Sequence, residues 1–139
     1  MIKQLYFLII FLVPLVSVAQ QTFDGTDCRR VKNGTFYFYP PNNQKGFIVY
    51  RNGTIQREIN LSTGDTTFWE VRWKSACAFE VKFIRKSQPM SLEESKFYKS
   101  HTTVFEVLKC QKSYYVFKGG LDSINNPNAL TDTMWLKSR

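Results

Sequence analysis

EVRWKSACAFEVKF, residues 70–83, decides the fold class of this chain. Two alternating runs flank a short polar bend, with Cys77 just past it. Trp69, Val71 and Trp73 fall on one face of the first run, and Phe79, Val81 and Phe83 on one face of the second. Alternation of this kind marks half-buried β-strands. Setting Trp73 opposite Phe79 places Arg72 against Glu80 and Glu70 against Lys82, so unlike charges meet outside while apolar triplets meet inside. A register shifted by two residues would oppose Glu70 and Glu80, which cross-strand pairing disfavours. The stretch is therefore expected to form a hairpin with an apolar inner face and a charge-matched outer one.

The rest of the chain repeats this grammar. GTFYFYP (34–40) alternates around Phe36 and Phe38 and stops at Pro40-Pro41. GFIVYR and TIQREIN flank Asn52-Gly53, a strong hairpin signal that predicts a type I′ turn. HTTVFEVLK and SYYVFKG form a third hairpin, and a last strand lies near LTDTMWLK, beyond the loop GGLDSINNPN. Eight short strands joined mostly by hairpins predict an all-β antiparallel meander, either a lipocalin-like barrel or a β-sandwich. One segment departs from the pattern. PMSLEESKFYK carries Ser91-x-x-Glu94, a capping-box pattern that predicts a short helix over 91–99, either a lid or a plain connection.

MIKQLYFLIIFLVPLVSVA, residues 1–19, combines a basic n-region at Lys3, an apolar core from Leu5 to Val16 and small residues before Gln20. These are the marks of a cleaved signal peptide, and the apolar run is short for a membrane span. No cysteine follows Gln20 directly, which argues against a lipid anchor. Residues 20–139 then form a single β domain in the periplasm or outside the cell, with no further segment apolar enough to span a membrane. Loss of Lys3 lowers the formal charge from +8 to +7. The cations are scattered, with no run longer than Arg29-Arg30, so nucleic acid is not an expected partner.

Cys28, Cys77 and Cys110 survive cleavage, and an oxidising compartment favours pairing. A Cys28–Cys77 bond would close a loop worth about 4 kcal/mol in the loop-entropy view. Cys110 is then free, in a monomer, or links two copies. No two cysteines are close in sequence and His101 is the only histidine, so no metal and no cofactor are expected.

Catalytic patterns are missing as well. His101 lies between the predicted helix and a strand, where a loop histidine is expected rather than a general base. Glu58, Glu70, Glu80 and Glu106 are spread along strands and are assigned to solvated sheet faces, so no facing carboxylate pair is expected. The chain is read as a non-enzyme.

Cys28-Arg-Arg, Gly34-Thr-Phe36, Arg51-Asn-Gly-Thr-Ile-Gln56-Arg-Glu58 and Trp73-Lys-Ser-Ala-Cys77-Ala-Phe79, in this order, resemble a family of small exported bacterial proteins often labelled "DNA topoisomerase IV". The resemblance supports the Cys28–Cys77 link, since both match the family's cysteines; Cys110 departs from the pattern. The label does not fit the chemistry. A topoisomerase of that type needs an ATP site, an acidic metal cluster and a large frame, and here there is no phosphate-binding glycine loop. The family implies no activity. Gly34-Thr-Phe36 and the basic end at Lys137 and Arg139 also loosely resemble lipocalins.

The remaining signal is aromatic: twelve Phe, seven Tyr and three Trp. Three of these, Tyr6, Phe7 and Phe11, fall in the signal. The rest either fill the interior or line a cavity for a small apolar ligand, with Trp69, Trp73, Phe79 and Phe83 as the candidate lining. Alternatively, Tyr37, Tyr39, Tyr114 and Tyr115 with neighbouring lysines form an outer surface that docks on an envelope protein or glycan.

Overall fold

A computed structural model describes residues 27–139 except Gln44, so the signal sequence and its cleavage point lie outside the described residues. Its eight antiparallel strands follow one another around a closed barrel. They are β1 (Asn33–Phe38), β2 (Phe47–Asn52), β3 (Ile55–Asn60), β4 (Thr66–Trp73), β5 (Ala78–Lys86), β6 (Thr103–Cys110), β7 (Tyr114–Leu121) and β8 (Leu130–Trp135). The sandwich alternative is set aside, because β8 returns to pair with β1 at Tyr37↔Trp135 and Phe38↔Met134. Closure leaves no open sheet edge.

The β4–β5 hairpin has the register expected from its charges: Trp73↔Phe79, Arg72↔Glu80 and Glu70↔Lys82. The ion pairs themselves differ. Arg72 bonds Glu70 two residues back, at 3.0 Å, and Glu80 takes Lys74 at 3.0 Å. Phe68, next to inward-facing Trp69, faces outward, where Arg85 lies 3.8 Å over its ring, and a bulge here leaves Ile84 of β5 unpaired.

The β2–β3 turn lies one residue further along than expected. Asn52 pairs with Ile55, so the two turn residues are Gly53 and Thr54. Gly53 has φ +54° and Thr54 has no positive φ, the type II′ pattern rather than I′. Glycine tolerates that φ without strain.

The two ends of the barrel are built differently. At one end a 3-10 turn, Cys28–Val31, folds across the opening, and Val31 is completely buried. Asp27 caps this turn by accepting from the Arg29 amide, and the Arg29 side chain helps hold its carboxyl at a pKa of about 2. A Cys28–Cys77 disulfide ties the turn to the β4–β5 loop. Cys110 lies buried, only 1% exposed, and a link to a second copy through it would require the core to open.

At the other end lies α1 (Leu92–Ser100), capped by Ser91 Oγ accepting from the Glu94 amide at 3.0 Å. No residue of α1 is buried. It is held by Tyr98, which stacks on Phe83 at 4.8 Å and meets Trp69 edge-on at 5.6 Å, and by Lys86–Glu94 at 3.4 Å. Among the described residues no helix is long and apolar enough to cross a membrane.

Candidate functional site: a polar-ended cavity in the barrel

Between the plugged end and the α1 end the barrel encloses a cavity of about 320 Å³. This falls at the lower limit for small-molecule sites. Its walls are mostly apolar and aromatic: Phe38 and Phe47 from β1 and β2, Phe79 from β5, Phe105 and Phe117 from β6 and β7. Gly119 supports the opening, because a Cβ there would stand 2.9 Å from the Phe105 ring. Leu130, also on the wall, is 72% exposed and marks the mouth.

Two of the expected lining residues, Trp69 and Phe79, face this cavity. The other two do not line it. Trp73 sits toward the plugged end, donating its indole N–H to the Gly53 carbonyl at 3.0 Å beneath the Lys32 ammonium. Phe83 lies under Tyr98, on the α1 side. The expected outer tyrosine surface loses one member. Tyr115 is 1% exposed, points inward and lines the cavity, because β7 turns Tyr115, Phe117 and Gly119 to the interior. Tyr37, Tyr39 and Tyr114 are half-buried on the outside; Tyr114 packs on Trp135 at 5.3 Å, and the Tyr39 hydroxyl accepts from the Arg139 amide at 3.2 Å.

The unexpected part of the site is polar. Glu58, assigned from sequence to a solvated face, instead turns into the barrel with Gln56 and Arg51. Arg51 is 4% exposed and Gln56 2%. The Arg51 guanidinium donates to the Val31 carbonyl at 2.7 Å, to Gln56 Oε1 at 2.8 Å and to the Tyr115 hydroxyl at 3.5 Å. Its plane lies 4.4 Å from the Phe79 ring. Gln56 Nε2 then donates to Glu58 Oε1 at 2.6 Å. A buried charge persists only when its donors or acceptors are matched, and this chain of bonds supplies the match.

Burial pushes the Glu58 carboxyl above its ordinary value, against the opposing pull of Gln56, Trp69 and Arg51. The Trp69 N–H lies close enough to favour the charged form, yet Nε1 is buried and makes no hydrogen bond. Burial also raises the Tyr115 hydroxyl, which Arg51 partly offsets. The Glu58 shift has a stability consequence. A carboxyl whose pKa is higher folded than unfolded takes up protons on folding, so stability falls as pH rises from its unfolded value, near 4.5, through its folded value. Glu58→Gln keeps an acceptor for Gln56 and removes the titration. Urea unfolding at a series of pH values is expected to show the variant gaining on wild type across that window, by up to about 1.4 kcal/mol per pH unit. Parallel pH profiles for the two proteins would contradict the buried, titrating carboxyl.

His101 pairs with Asp122 at the α1 end of the barrel. Its Nδ1 meets Asp122 Oδ2 at 2.5 Å and its ring packs on Phe97 at 4.8 Å. Asp122, with φ +59°, also accepts from the Thr102 amide at 2.9 Å. That amide, and then His101, hold the Asp122 carboxyl below its ordinary range. The pair fastens the end of α1 to the start of the β7–β8 loop. Among the described residues no group of three or more His, Cys, Asp or Glu is placed to hold a metal ion. No protein family, curated protein or solved structure matches the chain.

Proposed function

We propose that this is an exported, non-enzymatic binding protein of the periplasm or cell envelope whose barrel holds one small, mostly apolar molecule. The observation that carries this reading is the cavity of about 320 Å³, aromatic on its walls and polar at one side, inside a barrel plugged at one end and exposing Leu130 at the other. A barrel that served only as a scaffold would gain by filling that space with side chains, since an unfilled core costs packing. The disulfide fits an oxidising compartment, and the leading residues 1–19 fit export.

The test is native mass spectrometry of the protein purified from its own host without reductant. The expected result is a monomer about two mass units lighter than the fully reduced chain, carrying an additional small mass that denaturation releases. Val81, 3% exposed on the cavity wall, gives the control. Val81→Phe is expected to lose the additional mass without lowering Tm, as cavity-filling substitutions often behave.

A second reading, docking on an envelope protein or glycan, has one observation in its favour. Arg57 lies 4.4 Å from the Tyr50 ring and Arg139 4.0 Å from the Trp135 ring, which places flat cationic and aromatic groups together on the outer face. A ligand-free monomer with no binding in the cavity would shift the weight to this reading.

A further inference from the structure

The cavity wall carries more acidic than basic groups, and that excess names a ligand class. The acidic side chains that line it, Glu58 and Asp132, outnumber its one basic side chain, Arg51. Three of the five Arg51 N–H donors go to Val31, Gln56 and Tyr115, and its face lies on Phe79. Each carboxylate has one oxygen engaged: Glu58 Oε1 by Gln56, and Asp132 Oδ1 by the Thr133 amide at 2.7 Å. Among the described residues neither carboxylate forms a salt bridge. Glu58 Oε2 and Asp132 Oδ2 make no hydrogen bond to another described residue. The surrounding aromatic rings present negative faces, which attract cations and not anions.

We propose, resting on the binding-protein reading above, that the cavity takes a hydrophobic amine. Its ammonium draws its counter-charge and hydrogen-bond acceptors from Glu58 and Asp132, and its apolar body lies against the phenylalanines. A carboxylate or phosphate head would instead face two acidic side chains. The volume corresponds to about ten water molecules at about 30 Å³ each, which suits an eight-carbon chain with a single head atom.

The experiment titrates the disulfide-intact protein, freed of co-purified ligand, with octylamine, octanol and octanoate, read by calorimetry. Octylamine is expected to bind at least about tenfold tighter than octanol, the size of a hydrogen-bonded charge contact, with octanoate weakest. Asp132→Asn and Glu58→Gln, each nearly isosteric, are both expected to cut octylamine affinity by more than octanol affinity, narrowing the preference. Equal binding of the three probes, or undiminished preference in both variants, would overturn the amine assignment but leave the binding-protein reading standing. Tightest binding by octanoate would overturn it in favour of an anionic ligand. No binding of any probe to wild type, with no difference from Val81→Phe, would overturn both.

Discussion

Arg51→Leu is expected to destabilise the protein by about 3–5 kcal/mol, the usual cost of breaking a buried, hydrogen-bonded charge network from one side. Three partners are stranded together. The Val31 carbonyl loses its donor at the plugged end, Gln56 loses the bond that orients it, and Glu58 loses the nearby positive charge. The leucine restores some apolar contact with Phe36 and Phe79, over whose rings the guanidinium lies, but it satisfies none of the three. The deficit should depend on pH in a stated direction. Without Arg51, the Glu58 carboxyl rises further above its ordinary value, so the variant avoids burying a lone anion at acidic pH and suffers most at neutral and alkaline pH. Adding Glu58→Gln should recover part of the loss at neutral pH and little at acidic pH, a coupling on the order of 1–3 kcal/mol in a double-mutant cycle. Thermal unfolding would show the single substitution as a fall in Tm on the order of 15 °C or more. Additive effects of Arg51→Leu and Glu58→Gln would show that the two side chains stabilise the barrel independently.

The antiparallel meander was legible, though not its closure into a barrel, because β4 and β5 obey two rules at once. Their apolar residues alternate and their charges match across the pair, so only one register satisfies both, and the observed pairing Trp73↔Phe79 is that one. The helix was legible from Ser91 and Glu94, the residues that make its cap. The polar side of the cavity was not. In TIQREIN, Ile55 and Ile59 share one face and Gln56 and Glu58 the other, and hydrophobicity alone turns the isoleucines inward. The barrel does the opposite: Ile55 is 43% exposed, while Gln56 is buried. What fixes the choice is β2. Val49 and Arg51 must share a face, and the two-residue turn sets Arg51 opposite Gln56 and Val49 opposite Glu58. A chain that turns Val49 inward therefore carries Arg51, Gln56 and Glu58 inward too. The signal was present in the spacing of Arg51 and Gln56 across Gly53-Thr54, but it emerges only with the turn placed one residue beyond Asn52-Gly53.

The aromatic candidates divided for a simpler reason. The inner face of the β4–β5 hairpin is longer than the cavity. Trp73 reaches into the packing beside the plug, and the bulge at Phe68/Trp69 leaves Phe83 beneath Tyr98. Alternation identifies the inward face of a strand but not the depth at which a residue sits along the barrel axis, which depends on strand stagger. Tyr115 and Tyr114 make the same point from the other side. They are neighbours in sequence and identical in type, and pleating alone sends one into the core and leaves the other against Trp135.

Cys28→Ser with Cys77→Ser should cost about 4 kcal/mol, because the bond closes a loop spanning a sequence separation of 49 in the unfolded chain. The effect should exceed that of an ordinary surface tether, since the bond also holds the element that plugs the barrel. Val31 is completely buried only while the turn Cys28–Val31 lies across the opening, and Arg51 reaches its carbonyl only there. Polar contacts at the turn's edge also oppose its release, among them the Arg30 guanidinium donating to the Lys112 carbonyl at 3.2 Å and the Gly53 amide donating to the Lys32 carbonyl at 3.2 Å. The Arg30 contact is exposed, and exposed polar contacts contribute little against solvent. The double variant is therefore expected to keep its strands, as read by far-UV circular dichroism, while its Tm falls on the order of 15 °C or more. Cys110 reports which end opens. Burial raises its thiol pKa and shields it, so it should resist iodoacetamide in the disulfide-bonded protein. Alkylation in the double variant well below Tm would mean that the plug leaves first, with the barrel intact. Protection persisting up to global unfolding would mean instead that Arg51 and Val31 hold the plug without the disulfide, making the bond a constraint on the unfolded chain alone.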